Sequence, residues 1–405
     1  MPGPLTGLRV FDMSRVLAGP SCAQILGDLG ADVIKVERPG EGDDTRKWGP
    51  PYLKDAEGRD TDESAYYLST NRSKRSIALD FTKPEGRDLA QRLIARSDVL
   101  IENYKVGTLA RYGLGYAELR TKFPRLIYCS ITGFGQTGPY APRAGYDYLI
   151  QAMGGIMSMT GEPEREPMKA AVAIADLMTG MYSAIAILAA LRHRDASGQG
   201  QHVDMALLDT QVAALANLGQ SYLTSGEVPP RLGNAHAAVV PYQVFKTSDG
   251  HIVLAIGNDG QFRKFCEFAG VPALADDPRF ATNSARIINR TTLVPEMAAI
   301  LARHPSAHWM GKLEPLGVPC GPINTLDQVF ADPQVKARGM TVDLPHPVAG
   351  SKPTRLIASP IKLSDTPVEY RRAPPTLGEH TEEVLKELLG IGESEVRALR
   401  ERGVV

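Results

Sequence analysis

Between Leu8 and Glu37 the chain passes from an apolar run, "LRVFD", through the turn "SRVLAGP" and a helical run at Ser21–Leu29 into a second apolar run, "ADVIKVE". Strand, helix and strand within about thirty residues is a βαβ unit. No other feature constrains the fold as strongly. Parallel strands joined by a crossover helix are buried on both faces and need further layers around them. The chain supplies these layers, with a helix expected over 84–96 and strands over "SDVLIENY" and "RLIYCSITGFG". The alternation predicts an α/β fold with a mostly parallel sheet covered by helices on both faces. Ligands in such folds gather where strands end in loops. Here those loops are "SRVLAGP", "ERPGEGDDTRKWGPP", "ENYKVG" and "ITGFGQTGPY".

A long helical section is expected over 177–224, followed by the connector "SGEVPPRLGN". Beyond it, "VPYQVFKTSDGHIVLAIG" reads as a hairpin turning at Ser248-Asp249-Gly250. A helix-rich stretch to about 315 and "GVPCGPIN" complete a smaller α/β unit. The tail carries strand-like "VDLPHPV" and "PIKLSDTP", then a helix near 380–390. With 45 basic and 46 acidic residues, no overall field favours nucleic acid or a membrane surface. The four cysteines, Cys22, Cys129, Cys266 and Cys320, form no CxxC pair, which argues against a zinc site and suits a reducing compartment. The first residues carry no leader-like pattern, so a cytoplasmic protein is expected, or a mitochondrial matrix protein for a mature eukaryotic form.

One residue resists this bland description. In "AVAIADLMTGMYSAIAILAAL" only Asp176 is charged, and an unpartnered buried carboxylate is costly. Three readings compete: a helix N-cap, an oddity in a membrane span, and a catalytic nucleophile. Thr179, Gly180 and Ser183 interrupt the apolar run and there is no second such segment, so a core helix is the better expectation. By the residues alone the helix cap is the better expectation, since Asp directly before a helix-forming run is a common N-cap. A dinucleotide-binding reading of the first βαβ unit is weak, because the turn lacks G-x-G-x-x-G and places Pro20 where a free amide is needed.

The set "RVLAGP", "LGADVIKVERPGEGDDTRKWGPP", "NRSKRSIALDF", "DVLIENYKVGTLARYGLGY", "SITGFGQTGPY", "AGYDYLIQAMGG" and "AIADLMTGMYSAIAILAAL" resembles class III CoA-transferases along the whole chain. Within that family, "GDDTRKWGPP" and "AHAAVVPYQVFKT" are most similar to the succinyl-CoA–glutarate branch. The resemblance implies an interlocked-ring homodimer. Each subunit would have a large Rossmann-like domain from both chain ends, residues 1–225 and 326–405, and a small inserted α/β domain, 226–325. The small domain of one subunit would complete the active site of the other. No metal and no cofactor beyond coenzyme A, as an acyl-CoA co-substrate, is implied. Partners would be acyl-CoA and small carboxylic acids.

By the same resemblance Asp176 is the nucleophile, ionised at neutral pH and passing through an aspartyl-CoA thioester. Val16 and Leu17 would lie beside the pantetheine, Arg38 toward the adenine and Lys74 and Arg75 near phosphates, with Asn103, Tyr104 and Arg111 completing the CoA site. Tyr146 stands where racemases of the family carry a histidine and suits hydrogen bonding to substrate better than proton exchange at an α-carbon, which leaves a 2-methylacyl-CoA racemase as the alternative enzyme reading. A dicarboxylate acceptor needs a cation for its distal end; Arg46 and Arg15 are the candidates, with Trp48 and His236 shaping the pocket. A catalytically silent acyl-CoA-binding protein is the alternative from another class.

Overall fold

The structure, a computed structural model, describes residues 3–405. Thirteen strands occur among them. They are β1 (Arg9–Asp12), β2 (Asp32–Glu37), β3 (Tyr52–Lys54), β4 (Asp60–Ser64), β5 (Lys74–Ala78), β6 (Val99–Glu102), β7 (Ile127–Thr132), β8 (His202–Ala206), β9 (Tyr242–Lys246), β10 (His251–Ala255), β11 (Cys320–Pro322), β12 (Thr341–Leu344) and β13 (Thr354–Ile357). Six form one sheet in the order β5-β2-β1-β6-β7-β8, every pair parallel. The order grows outward from β1 to one edge and then from β6 to the other, which is the doubly wound arrangement. Its reversal lies between β1 and β6, so the loops leaving these two strands diverge and open a crevice.

Alternation along the strands explains the two layers, since successive side chains point to opposite faces. Phe11, Ile34, Val36, Ile77, Leu100 and Tyr128 pack on one face with Leu89 and Leu93 of the Pro84–Ile94 helix and with Val384 and Val396 near the C-terminus. Val10, Val33, Val99, Ile101, Ile127 and Cys129 fill the other face with Cys22, Leu26, Ala184 and Ile187. The edge strands β5 and β8 were not legible as strands, because "KRSIA" and "HVDMA" lack the apolar run of buried parallel strands. The expected 177–224 helix is accordingly interrupted: Ile174–Ser197 is helical, β8 intervenes, and Leu207–Ala213 and Ala216–Ser225 follow. In the tail, 360–367 forms no strand; β13 pairs with β12 instead.

The chain divides into two compact units. One comprises the described residues up to Ile156, then Ala170–Gln220 and Gln334–Val405; the other comprises Met157–Lys169 and Ser221–Pro333. The short Met157–Lys169 piece joins the second unit through Arg231, whose guanidinium donates to the carbonyls of Glu162, Pro163 and Arg165. That unit has its own antiparallel sheet, β11-β10-β9, over a core of Phe245, Ile252, Leu254, Phe262, Phe265 and Trp309. Its hairpin turns where expected, with the Thr247 amide donating to the Gly250 carbonyl at 2.9 Å.

The Ile174–Ser197 helix is long and apolar enough to cross a membrane. In the fold its small residues make it a packing helix. Ala175, Thr179, Gly180, Ser183, Ala184 and Ile187 form its buried stripe. At Gly180 a Cβ atom would lie 2.7 Å from the Ala18 carbonyl oxygen, so only glycine lets the helix seat against Ala18–Asp28. The opposite side leaves Met181, Tyr182 and Ile185 exposed, which core burial alone does not account for.

Candidate active site

Two adjoining cavities open at the carboxyl ends of the parallel strands, the first at the crevice between β1 and β6 and the second toward the ends of β2 and β5. The first, about 160 Å³, is lined by Arg15–Ala18 from the β1 loop, Asn103–Val106 from the β6 loop, Thr132 and Gly133 after β7, Arg143 and Tyr146, and Asp176. The second, about 360 Å³, is lined by Arg38, Glu41, Asp43, Asp80 and Phe81. Arg15, Asp44 and Tyr104 border both. Arg15 is the partition: its Nη1 lies 3.1 Å from Asp44 and its guanidinium stands 5.2 Å from the Tyr104 ring centroid.

Asp176 is half-buried in the first turn of its helix. It is not the N-cap; that position is Ala173, whose side chain caps nothing. The cap comes from another element. Oδ1 of Asp147 accepts the amides of Ala175 at 2.8 Å and Asp176 at 3.3 Å. Gln151 Nε2 holds the other Asp147 oxygen at 2.7 Å. A first-turn position favours the anion. Burial, joined by the like charge of Asp147, nevertheless pushes the Asp176 carboxyl up to about 7. The expectation of a fully ionised carboxylate at neutral pH is thereby corrected. The same field reaches Tyr66, whose hydroxyl is raised by burial and then by Asp176 and Asp147. Trp48 meets Tyr66 edge-on with centroids 5.1 Å apart and lines neither cavity.

The β1 loop is pinned on both sides. The Asn103 side chain reads the Arg15 backbone, accepting its N–H at 2.9 Å and donating to its carbonyl at 2.7 Å. Val16 takes φ = 71°, a left-handed conformation that a β-branched residue resists. Its amide points at Asp43, 3.2 Å from each carboxylate oxygen. Leu17, buried, then opens the Ala18–Asp28 helix. Tyr146 lines the first cavity and is largely exposed.

Six expected residues, Trp48 among them, line neither cavity. Arg46 is buried and spends its guanidinium on Glu37 and Glu63, each at 2.8 Å, and on the Pro375 carbonyl, over the Tyr67 ring. No donor is left for an acceptor acid. Lys74 is fully buried and donates to Asp12, Asn71 and the Pro20 carbonyl. Arg75 is buried among Asp32, Glu383 and Glu387. The "NRSKR" cluster is thus structural rather than a phosphate cradle. Arg111 is exposed on the Leu109–Tyr112 turn and lines neither cavity. Arg38 does border the second cavity, exposed and paired with Glu41 at 3.0 Å. His236 belongs to the second unit and lines a cavity of about 370 Å³ there with Arg290, whose guanidinium donates to the His236 carbonyl.

Asp43, Lys35, Lys105 and Arg143 were not singled out from the sequence. For Lys35 a signal existed: one cation inside "DVIKVE" of a central parallel strand needs a buried partner, by the reasoning applied to Asp176. Lys105 and Arg143 carried no such signal, being ordinary exposed loop cations.

A half-buried carboxylate at a switch-point crevice, with cations around it, suits acyl transfer through a carboxylate. Comparison with known proteins agrees. Residues 5–381 match the model of CoA-transferase family III. The chain is 53% identical over 385 residues to a succinate–glutarate CoA-transferase of Agrobacterium fabrum, covering 95% of this chain and 96% of that one. It is 42% identical over 402 residues to the human succinyl-CoA:glutarate CoA-transferase, covering 99% and 90%. The crystal structure of a CAIB/BAIF family protein from Brucella suis superposes with a TM-score of 0.84 at 51% identity, covering 96% of this chain and all of that one. Fold, crevice and carboxylate thus meet in one family, and the chain belongs to CoA-transferase family III.

Proposed function

We propose that this class III CoA-transferase moves CoA from succinyl-CoA to a short dicarboxylate such as glutarate, with Asp176 as the covalent carrier. The observation that carries the reading is the position of Asp176, a carboxylate in a crevice cavity bordered by Arg15 and Arg143. The names of the similar enzymes supply the substrate pair.

The steps balance without a further group. Asp176, deprotonated, attacks the thioester carbonyl and expels CoA thiolate, giving a mixed anhydride. The thiolate attacks the aspartyl carbonyl, releasing succinate and leaving an aspartyl-CoA thioester. The acceptor carboxylate attacks that thioester, and the thiolate returns to the acceptor's carbonyl, freeing Asp176. A dry setting protects both anhydrides from hydrolysis. CoA would run from Arg38 past Tyr104, Asn103, Val16 and Leu17 to Asp176, with Arg111 outside the groove. Arg38–Glu41 and Arg15–Asp44 are exposed pairs of the kind worth at most about 1 kcal/mol, so phosphate or carboxylate ligands can replace the acids at little cost. Arg15 is then the cation for the distal carboxylate.

An interlocked-ring homodimer in the cytoplasm is part of the proposal, with the small unit of one subunit completing the other's site through the His236 region. The apolar side chains Tyr148, Met181, Tyr182, Ile185 and Val212, all exposed in the single chain, support burial against a second copy. The test is a panel of carboxylates incubated with succinyl-CoA. Glutarate should yield glutaryl-CoA and succinate, and monocarboxylates should react poorly; no acyl-CoA product from any dicarboxylate would reject the reading.

A further inference from the structure

Val16 poses a question that the transfer chemistry leaves open. Glycine adopts φ = 71° freely, whereas valine there occupies a sparsely populated conformation that its surroundings must enforce. We infer that Asp43 is a positioning residue for the transfer reaction: its carboxylate, fixed by Lys35, holds Val16 in the left-handed turn that shapes the wall of the Asp176 cavity. Both Asp43 oxygens receive the Val16 amide at 3.2 Å. Oδ2 also receives Lys35 Nζ at 2.9 Å, and neither side chain is exposed. The same ammonium donates to the Ser14 carbonyl at 3.1 Å, tying the strut to the loop at a second point. Oδ1 accepts the Thr45 amide and hydroxyl at 3.0 and 2.8 Å, and the Asp43 amide donates to Glu37 at 3.0 Å. Burial alone would raise the Asp43 carboxyl, but Lys35 and these donors bring it down to about 2, so it acts as a permanent anion.

The turn sets the start of the helix that packs against the nucleophile's own. Directly after Val16, Leu17 and Ala18 begin the helix whose Ala18 carbonyl meets Gly180, one turn along from Asp176. A relaxed Val16 would swing Arg15 and Leu17 relative to the nucleophile. Asp43 touches no reacting atom; it works through Val16.

The inference rests on the transferase reading, and two readouts on the full-length protein keep them separate. Hydrogen exchange of the Met13–Cys22 segment needs no substrate; steady-state kinetics with succinyl-CoA and glutarate reports the reaction. Asp43→Asn should speed exchange in that segment, lower kcat about tenfold or more and, because Arg15 moves with the turn, raise KM for glutarate as well. Val16→Gly added to Asp43→Asn should restore kcat to within about threefold of Val16→Gly alone, because glycine needs no clamp. Asp43→Asn also leaves Lys35 buried without its anion, so if it fails to fold the same comparison is made with Lys35→Met added to both variants. Unchanged exchange and kcat on loss of Asp43, or no gain in rate from Val16→Gly in that background, would overturn the inference.

Discussion

Oδ1 of Asp147 lies 3.3 Å from the amide nitrogen of Asp176, so one carboxylate caps the helix that presents the other. The same residue holds Asp176 in place and, through its charge, adds to the burial that makes it a weaker acid. In Asp147→Asn the amide oxygen still accepts both backbone bonds while the charge is gone, together with the bond from Gln151 Nε2, which then faces an amide donor. The acid limb of kcat/KM should move about one pH unit downward in this variant. Asp147→Ala should instead cost about 1 kcal/mol of stability through loss of the cap.

Asp176 also links folding to pH. An unfolded aspartate titrates near about 4, and in the native chain burial and Asp147 raise the group to about 7. The native state then holds the proton more tightly, so this contribution to stability is full below about pH 4 and is lost as pH rises through about 7. Asp176→Asn never ionises. Its melting temperature should exceed the wild type's by about 2 °C or more at pH 8, and the gap should close toward pH 4. Thermal scans of both proteins across that range check the sign.

Arg46 and Arg15 should fail differently. Arg46→Ala leaves Glu37 and Glu63 buried without their cation, which should cost about 3–5 kcal/mol in urea unfolding. Arg15→Ala should leave stability nearly unchanged and raise KM for glutarate about tenfold or more, with little effect on a monocarboxylate. Equal losses for both acids would remove Arg15 from the distal-carboxylate role.

Gly180→Ala tests the seating of the helix that carries Asp176. The added methyl meets the Ala18 carbonyl oxygen at 2.7 Å and Ser21 Cβ at 3.1 Å. Overpacking of this kind should cost about 1–3 kcal/mol and lower kcat by displacing Asp176. Denaturation midpoints and kcat on the folded protein measure the two parts.

The parallel sheet was legible where burial on both faces writes an apolar run, as in "RVFD", "VLIE" and "IYCSIT". It was not legible at β5 and β8, whose edge positions tolerate polar residues. The crevice followed from the order of those strands, and Asp176 from its isolation in an apolar helix. Local sequence cannot show whether a cation is free. Lys74, Arg75 and Arg46 look like ligand-binding residues until their carboxylate partners, many of them distant in the chain, are brought to them. Asp147 was hidden for a related reason, because it caps a helix that begins 27 residues later, at Ile174.

The covalent role of Asp176 is tested most directly by mass spectrometry of the protein incubated with succinyl-CoA and no acceptor, then treated with hydroxylamine or borohydride. The wild-type peptide containing Asp176 should carry CoA before treatment and the hydroxamate or the reduced side chain after it, while Asp176→Ala is unmodified and inactive. An unmodified wild-type peptide, together with full transfer activity in Asp176→Ala, would contradict the covalent mechanism.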